Sequence, residues 1–351
     1  MITAKPPLRV LIAEDSPTQR ELLVGLLEES GGFEIVATAP DGETAIERAI
    51  ALKPDVVLMD CNMPRLNGFE ATRRLMDRHP LPIVMTSSTL DDADTHYAFD
   101  AIRAGAVAFL RKPVFADVDH LERDIVELAT TLRLMAEVKV VRRSIQPPAR
   151  AAVVPSVGAL GSVKVIAIAG STGAPSIIVD ILSACDGRPP VPVLIVQHMT
   201  PGFVGGFARW LSDVLGYRID VAQKDQVAGP GDVLLAPDDH HLGIDSVGRV
   251  VLSDEPDIEG FRPSADFLFK SVAKSCADKA MGILLSGMGR DGAAGLKSMH
   301  DAGAATIVQN EASCVVFGMP KAAIEIGAAR HILQPAEISK RINASKFQPR
   351  A

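Results

Sequence analysis

The 351 residues carry 36 Lys and Arg against 43 Asp and Glu, a formal net charge of −7; no Lys/Arg block is present, which argues against a nucleic-acid-binding surface. Hydrophobic residues make up 47% and charged residues 23%, the balance of a water-soluble chain long enough for two cores, and no apolar run reaches the roughly 20 residues that span a bilayer. The four cysteines, Cys61, Cys185, Cys276 and Cys314, are scattered and form no C-x-x-C, so they read as reduced thiols instead of a zinc site or disulfide framework.

Residues 1–7 lack an apolar signal core, and the expected location is the cytoplasm, without direct membrane insertion. The first strand pattern is Leu8–Ala13, and Pro17 then opens a helical pattern, as proline does in a first turn. Apolar runs recur at 35–38, 56–59, 83–85 and 107–110, with helical patterns between them and a last helix from about Val118. Strands alternating with helices in this way predict a (βα)5 domain with a parallel sheet covered on both faces.

Ligands bind beyond the carboxyl ends of the strands in such a sheet. Glu14 and Asp15 follow the first strand and Asp60 ends the third. Three carboxylates meeting there would repel one another unless a cation lay between them, and their oxygens suit Mg²⁺. Ser87 and Lys112 fall at two further strand ends. A lysine and a hydroxyl beside such a site can hold a phosphoryl group on Asp60, which would be the nucleophile. Glu14-Asp15, Asp60-Cys61-Asn62-Met63-Pro64, Ser87 and Lys112-Pro113 together resemble the response-regulator receiver motif. That resemblance implies phosphotransfer from a chemotaxis-type histidine kinase to Asp60 and a metal contact from the Asn62 carbonyl. It also implies a switch formed by Ser87 and Phe109, and a cis bond at Lys112-Pro113.

The pattern fades after Val141, and residues 142–161, with Gln146-Pro147-Pro148 and Pro155, read as a linker. The expected organisation is therefore a receiver at 1–141, a linker at 142–161 and a second domain at 162–351. Strand-like runs resume at 163–169, 191–197, 233–236, 281–286 and about 306–309. The stretch 217–253 is richer in short strands and turns, which predicts a doubly wound α/β domain with a small antiparallel excursion.

The first run leads into Gly170-Ser171-Thr172-Gly173-Ala174-Pro175. Ser171 would sit at a helix N-terminus, where free N–H groups favour an alkoxide or oxyanion; a plain N-cap is the bland alternative. The second run ends at Gln197-His198, placing a candidate general base at the next strand end. The segment Ser286-Gly287-Met288-Gly289-Arg290-Asp291-Gly292 supplies a carboxylate able to orient that histidine. Ala169 stands where a G-x-S-x-G elbow needs glycine, and the order Ser, His, Asp is not that of the α/β-hydrolases.

These segments, with Gln197-His198-Met199, Ala236-Pro237 through His241-Leu242, Arg262-Pro263-Ser264-Ala265-Asp266 and Val316-Phe317-Gly318-Met319-Pro320, resemble the chemotaxis protein-glutamate methylesterases. The resemblance implies a phosphorylation-controlled serine hydrolase that demethylates glutamate methyl esters, and deamidates glutamines, on the cytoplasmic helices of methylated chemoreceptors. It assigns Ser171 as nucleophile, His198 as base, Asp291 as orienter, and Thr172 and Met288 as oxyanion donors, with no cofactor for the esterase step. Two departures stand out: the usual turn Gly-Ala-Ser-Thr-Gly-Gly is replaced by Ala169-Gly170-Ser171-Thr172-Gly173-Ala174, and Ser286 stands where threonine is common.

Other readings come from the same residues. Gly287-x-Gly289-x-x-Gly292 is a literal G-x-G-x-x-G after a strand, with Glu311 near the spacing for a ribose contact, which is a dinucleotide-binding pattern. A receiver joined to a non-catalytic binding domain is a further alternative. Asp266 rivals Asp291 as the orienting carboxylate. Asp238-Asp239-His240-His241 reads as a loop, because neighbours on a strand face opposite ways and rarely share one ion.

Overall fold

The computed structural model describes residues 6–87, 99, 106, 108–113, 118–138, 163–185 and 187–345. The chain divides into two compact units, Met1–Ile145 and Gln146–Ala351. The stretch expected to be a linker lies outside the described residues.

The first unit runs β1 (Leu8–Ala13), α1 (Pro17–Glu29), β2 (Phe33–Ala39), α2 (Gly42–Leu52), β3 (Val56–Asp60), α3 (Gly68–Arg78), β4 (Ile83–Ser87), β5 (Ala108–Arg111) and α4 (Val118–Met135). Its strands form one parallel sheet in the order β2-β1-β3-β4-β5. Every residue of β3 and β4 is buried, as strands covered on both faces must be. Helix starts follow local chemistry: the Ser16, Asp41 and Asn67 side chains accept from N–H groups in the first turns of α1, α2 and α3, each such cap being worth about 1 kcal/mol. The helix expected between β4 and β5 falls almost wholly outside the described residues. The Lys112-Pro113 bond is not cis; the cis bond among the described residues is Arg262-Pro263. For X–Pro bonds the two isomers differ by only about 1 kcal/mol, so local packing decides.

The second unit runs β6 (Val165–Gly170), α5 (Ala174–Ser183), β7 (Val193–Gln197), α6 (Val204–Leu215), β8 (Asp220–Val221), β9 (Val233–Leu235), β10 (His241–Ile244), β11 (Val250–Ser253), α7 (Ala265–Cys276), β12 (Ala280–Leu284), α8 (Ala293–Asp301), β13 (Ala305–Gln309), α9 (Met319–Glu325), β14 (His331–Leu333) and α10 (Pro335–Asn343). Seven strands make a parallel sheet ordered β14-β13-β12-β6-β7-β9-β8, and β10 pairs antiparallel with β11. The antiparallel excursion is thus a hairpin inside the stretch expected to hold it. Two short edge strands, β8 and β14, carry too few residues to stand out in sequence. The strand expected at 281–286 ends at Leu284. Beyond it Leu285 N–H still donates to Ala169 C=O, but Ser286 N–H turns to the Gln309 side chain, so Ser286 belongs to the turn.

Both sheets have a switch point, where the chain leaves a central strand in opposite directions. It lies between β1 and β3 in the first unit and between β6 and β12 in the second. Crevices at the carboxyl ends of such strands are where open α/β sheets bind ligands.

Candidate functional site

At the first crevice, β1 delivers Glu14 and Asp15, and β3 delivers Asp60. One carboxylate oxygen from each lies within 4.8 Å of the others. Lys112 Nζ reaches both Glu14 Oε2 and Asp60 Oδ1 at 2.8 Å. Ser87 C=O accepts Lys112 N–H at 2.9 Å, which aligns the ends of β4 and β5. Burial pushes the Glu14 and Asp60 carboxyls above their ordinary values, against the opposing pull of Lys112. Burial alone would lower Lys112, yet its bonds to Asp60 and Glu14 outweigh that and hold it above the usual lysine value. Asn62 and Gln19 complete the pocket lining with Asp15 and Ser16. Phe109 pairs with Met85 and rests half-buried on the core. Gly68 is fixed by proximity, because a Cβ there would meet the Asp60 carbonyl oxygen at 1.9 Å.

At the second crevice three adjacent strands, β12, β6 and β7, end together. Ser171 follows β6, and its N–H donates to Ser286 C=O at 3.0 Å. Gly173 takes φ +82 and Pro175 lies in the first turn of α5, so Ser171 precedes a helix N-terminus as expected. The bland reading of an N-cap fails, since the cap residue is Gly173 and no side chain caps α5. His198 follows β7, and its N–H donates to Gly170 C=O at 2.9 Å. Its ring stacks face to face on Phe261, with centroids 4.1 Å apart and planes 5° apart.

His198 Nε2 lies 2.8 Å from Asp291 Oδ2. A carboxylate oxygen only accepts here, so Nε2 carries the ring proton. Nδ1 then offers a lone pair, and it is buried with no hydrogen-bond partner among the described residues. Asp291 is 1% exposed. Its Oδ1 accepts from Ser264 Oγ at 2.7 Å and from Asp266 N–H at 3.0 Å, and Oδ2 accepts from Ala265 N–H at 2.7 Å. The carboxylate therefore sits on the N-terminus of α7, where N–H groups and the helix dipole favour negative charge. Burial alone would push Asp291 up, but the bonds from His198, Ser264 and Asp266 N–H outweigh it and hold its carboxyl below the ordinary range.

Asp266, the rival orienter, turns elsewhere: its Oδ1 accepts from Gly295 N–H at 2.7 Å in α8. Two glycines of Gly287-x-Gly289-x-x-Gly292 serve packing, while Gly289 is needed for its φ of +87. A Cβ on Gly287 would lie 2.9 Å from Ser171 Cβ, and one on Gly292 would meet Leu284 at 2.8 Å. Glu311 begins a short 3-10 turn. Thr172 is half-buried with its C=O accepting from Ser286 Oγ at 2.8 Å, and Met288, 42% exposed, directly follows Gly287. His241 is buried at the start of β10. Its Nδ1 accepts Ser264 N–H at 3.1 Å and its Nε2 faces Pro256 C=O at 3.2 Å, a structural role instead of a metal cluster.

Sequence reasoning overlooked two neighbours of the site. Ser264 was legible as a helix cap in Arg262-Pro263-Ser264-Ala265-Asp266, but its bond to Asp291 depends on a helix arriving from elsewhere in the chain. Phe261 carries no pattern at all; a tight turn, with Ile258 and Phe261 exchanging backbone hydrogen bonds, delivers it to His198.

Fold and site together define a class: a two-unit α/β protein whose first unit has the acid–lysine pocket of a receiver and whose second joins histidine to carboxylate beside a strand-end serine, as serine hydrolases do. Family models described as "Response regulator receiver domain" and "CheB methylesterase" match residues 10–125 and 166–342. A relative from Syntrophus aciditrophicus, protein-glutamate methylesterase/protein-glutamine glutaminase 1, is 40% identical over 341 residues, covering 95% of this chain and 97% of its own. One from Geobacter metallireducens, protein-glutamate methylesterase/protein-glutamine glutaminase 4, is 42% identical over 337 residues, covering 94% and 96%. The crystal structure of the Thermotoga maritima CheB methylesterase catalytic domain is 34% identical, with a TM-score of 0.49, covering 52% of this chain and 98% of that one. The chain belongs to the CheB family of protein-glutamate methylesterase/protein-glutamine glutaminases.

Proposed function

We propose that the second unit hydrolyses glutamate γ-methyl esters, and deamidates glutamine side chains, on the cytoplasmic helices of methylated chemoreceptors, and that phosphorylation of Asp60 controls it. The observation that carries the catalytic reading is the 2.8 Å bond between His198 Nε2 and Asp291. It supports the other ring nitrogen, Nδ1, as the base next to the strand end that bears Ser171.

In this reading Nδ1 takes the Ser171 Oγ proton while Oγ attacks the ester carbonyl carbon. The C–O bond to the methoxy group then breaks, and methanol leaves with the proton from Nδ1. Water then attacks the acyl carbon and gives a proton to Nδ1. The C–Oγ bond breaks, Ser171 Oγ takes that proton back, and the glutamate side chain leaves as a carboxylate after losing its own proton to solvent. A glutamine side chain follows the same course and releases ammonia. Backbone N–H groups of Thr172 and Met288 receive the oxyanion; losing one such donor costs about 3 kcal/mol of transition-state stabilisation. Asp291 stays ionised throughout, because four donors already surround it.

In the first unit Asp60 accepts the phosphoryl group from a chemotaxis-type histidine kinase. Glu14, Asp15, Asp60 and the Asn62 carbonyl fit a Mg²⁺ ion: their oxygen chemistry suits it, and two of the acids are raised by burial, so a cation would relieve them. Bound there, the ion offsets charge developing on the phosphoryl oxygens. Lys112 holds the phosphorylated side chain, and Ser87 and Phe109 pass the change to the surface. The organisation proposed with this reading is a receiver at 1–141, a linker at 142–161 and a catalytic domain at 162–351, in the cytoplasm. Methanol release from receptor-enriched membranes tests it. Wild type should release methanol and Ser171→Ala should not; equal release from both sinks the hydrolase reading.

A further inference from the structure

We propose that Gln197 is a positioning residue that fixes the nucleophile relative to the base, an inference that rests on the roles of Ser171 and His198 given above. Gln197 is the last residue of β7 and pairs with Gly170, the last residue of β6. The bond from His198 N–H to Gly170 C=O closes the ladder. Past that point the two strands enter separate turns, and the sheet no longer sets the separation of their next residues.

One carboxamide takes over that task. Gln197 Nε2 lies 2.9 Å from Ser171 C=O and 3.0 Å from His198 C=O. An amide nitrogen has two N–H donors, and both are spent on the two residues whose relative placement decides the reaction. The orientation of the amide is settled by the same contacts, because a flipped amide would set Oε1 against two carbonyl oxygens. Gln197 is 8% exposed, and among the described residues no protein group donates to its Oε1. A buried acceptor without a donor is unfavourable, so a glutamine is a poor choice for filling the sheet end alone. Rules of local stability are broken in this way where a site needs the group. A misplacement of about 1 Å between nucleophile and base is enough to cost about a hundredfold in rate.

The test uses the full chain as wild type, Gln197→Leu, Gln197→Glu and Ser171→Ala. Methanol release from methylated receptor membranes and labelling by a fluorophosphonate probe are measured alongside thermal unfolding. The expected result for both Gln197 variants is a fall in kcat and in labelling rate of about ten- to a hundredfold, with KM within about twofold. Gln197→Glu keeps the side-chain volume and removes both donors, so it decides the matter should the leucine variant fail to fold. A kcat close to wild type in the folded variants, or a fall matched by an equal loss of folded protein, overturns the proposal. Retained activity in Ser171→Ala overturns the hydrolase reading itself, and the positioning role with it.

Discussion

Asp291 is the residue on which the proposed catalytic geometry turns, because it holds a histidine on one side and a helix N-terminus on the other. Asp291→Asn keeps the shape but presents an N–H or a neutral oxygen to His198, which lets the ring proton move to Nδ1 and removes the base. The predicted fall in kcat is about 10³- to 10⁴-fold, read as methanol release; a fall under tenfold contradicts the assignment. The same residue makes a stability prediction. Its carboxyl is depressed in the folded state below the ordinary 3.8, so the stability it contributes is present above that value and lost as pH falls toward the folded one. Urea midpoints measured from pH 6 down to about pH 3 should drop more steeply for wild type than for Asp291→Asn; parallel curves refute this. Asp60 has the opposite sign. Its carboxyl is raised by burial, so its charge works against folding at neutral pH. Asp60→Asn should raise the unfolding midpoint of the first unit at pH 7, and Mg²⁺ should stabilise wild type more than the variant. A lower midpoint for Asp60→Asn would show that its bond to Lys112 outweighs the burial of its charge.

At the scale of elements, chemistry sits where strands stop and helices begin. Ser264 joins the two levels: its hydroxyl accepts from Phe267 N–H as the cap of α7 and donates to Asp291. Ser264→Ala should lose about 1 kcal/mol of stability as a lost cap and also lower kcat, whereas a pure cap would change only the former. Gly287 joins β12 to the nucleophile turn. A Cβ there would lie 2.2 Å from Met319 Sδ and 3.1 Å from Ser171 N. Gly287→Ala therefore displaces Ser171, and its catalytic loss should exceed what its change in unfolding midpoint explains. Most of these elements were readable in advance, because period and turn chemistry are local: Pro17 and Pro175 sit in first turns, and β6 and β7 are apolar runs up to the Gly170 and Gln197 that end them. The misses follow the same logic. β8 and β14 are too short to carry a period, and the Ser286 turn is set by Gln309, which is distant in sequence.

For the whole molecule, two units each with its own parallel sheet invite separation. A chain beginning near Ser162 should fold by itself and, if the unphosphorylated receiver restrains the esterase, should release methanol faster than full-length protein without phosphodonor. Unchanged basal release would exclude simple restraint by the receiver. No described helix is long and apolar enough to cross a membrane, in line with the composition. What the sequence by itself determined is the inventory: two α/β patterns, acids and a lysine at one set of strand ends, and a serine, a histidine and an aspartate at another. Those features are local, since strand period, proline and glycine act within a few residues. Only the tertiary structure decided which carboxylate meets His198, which ring nitrogen it engages, and that Phe261, Ser264 and Gln197 surround the pair. Those contacts depend on strand order about a switch point and on where α7 docks, and such long-range placement is fixed by packing of the whole core and by no short stretch of the chain.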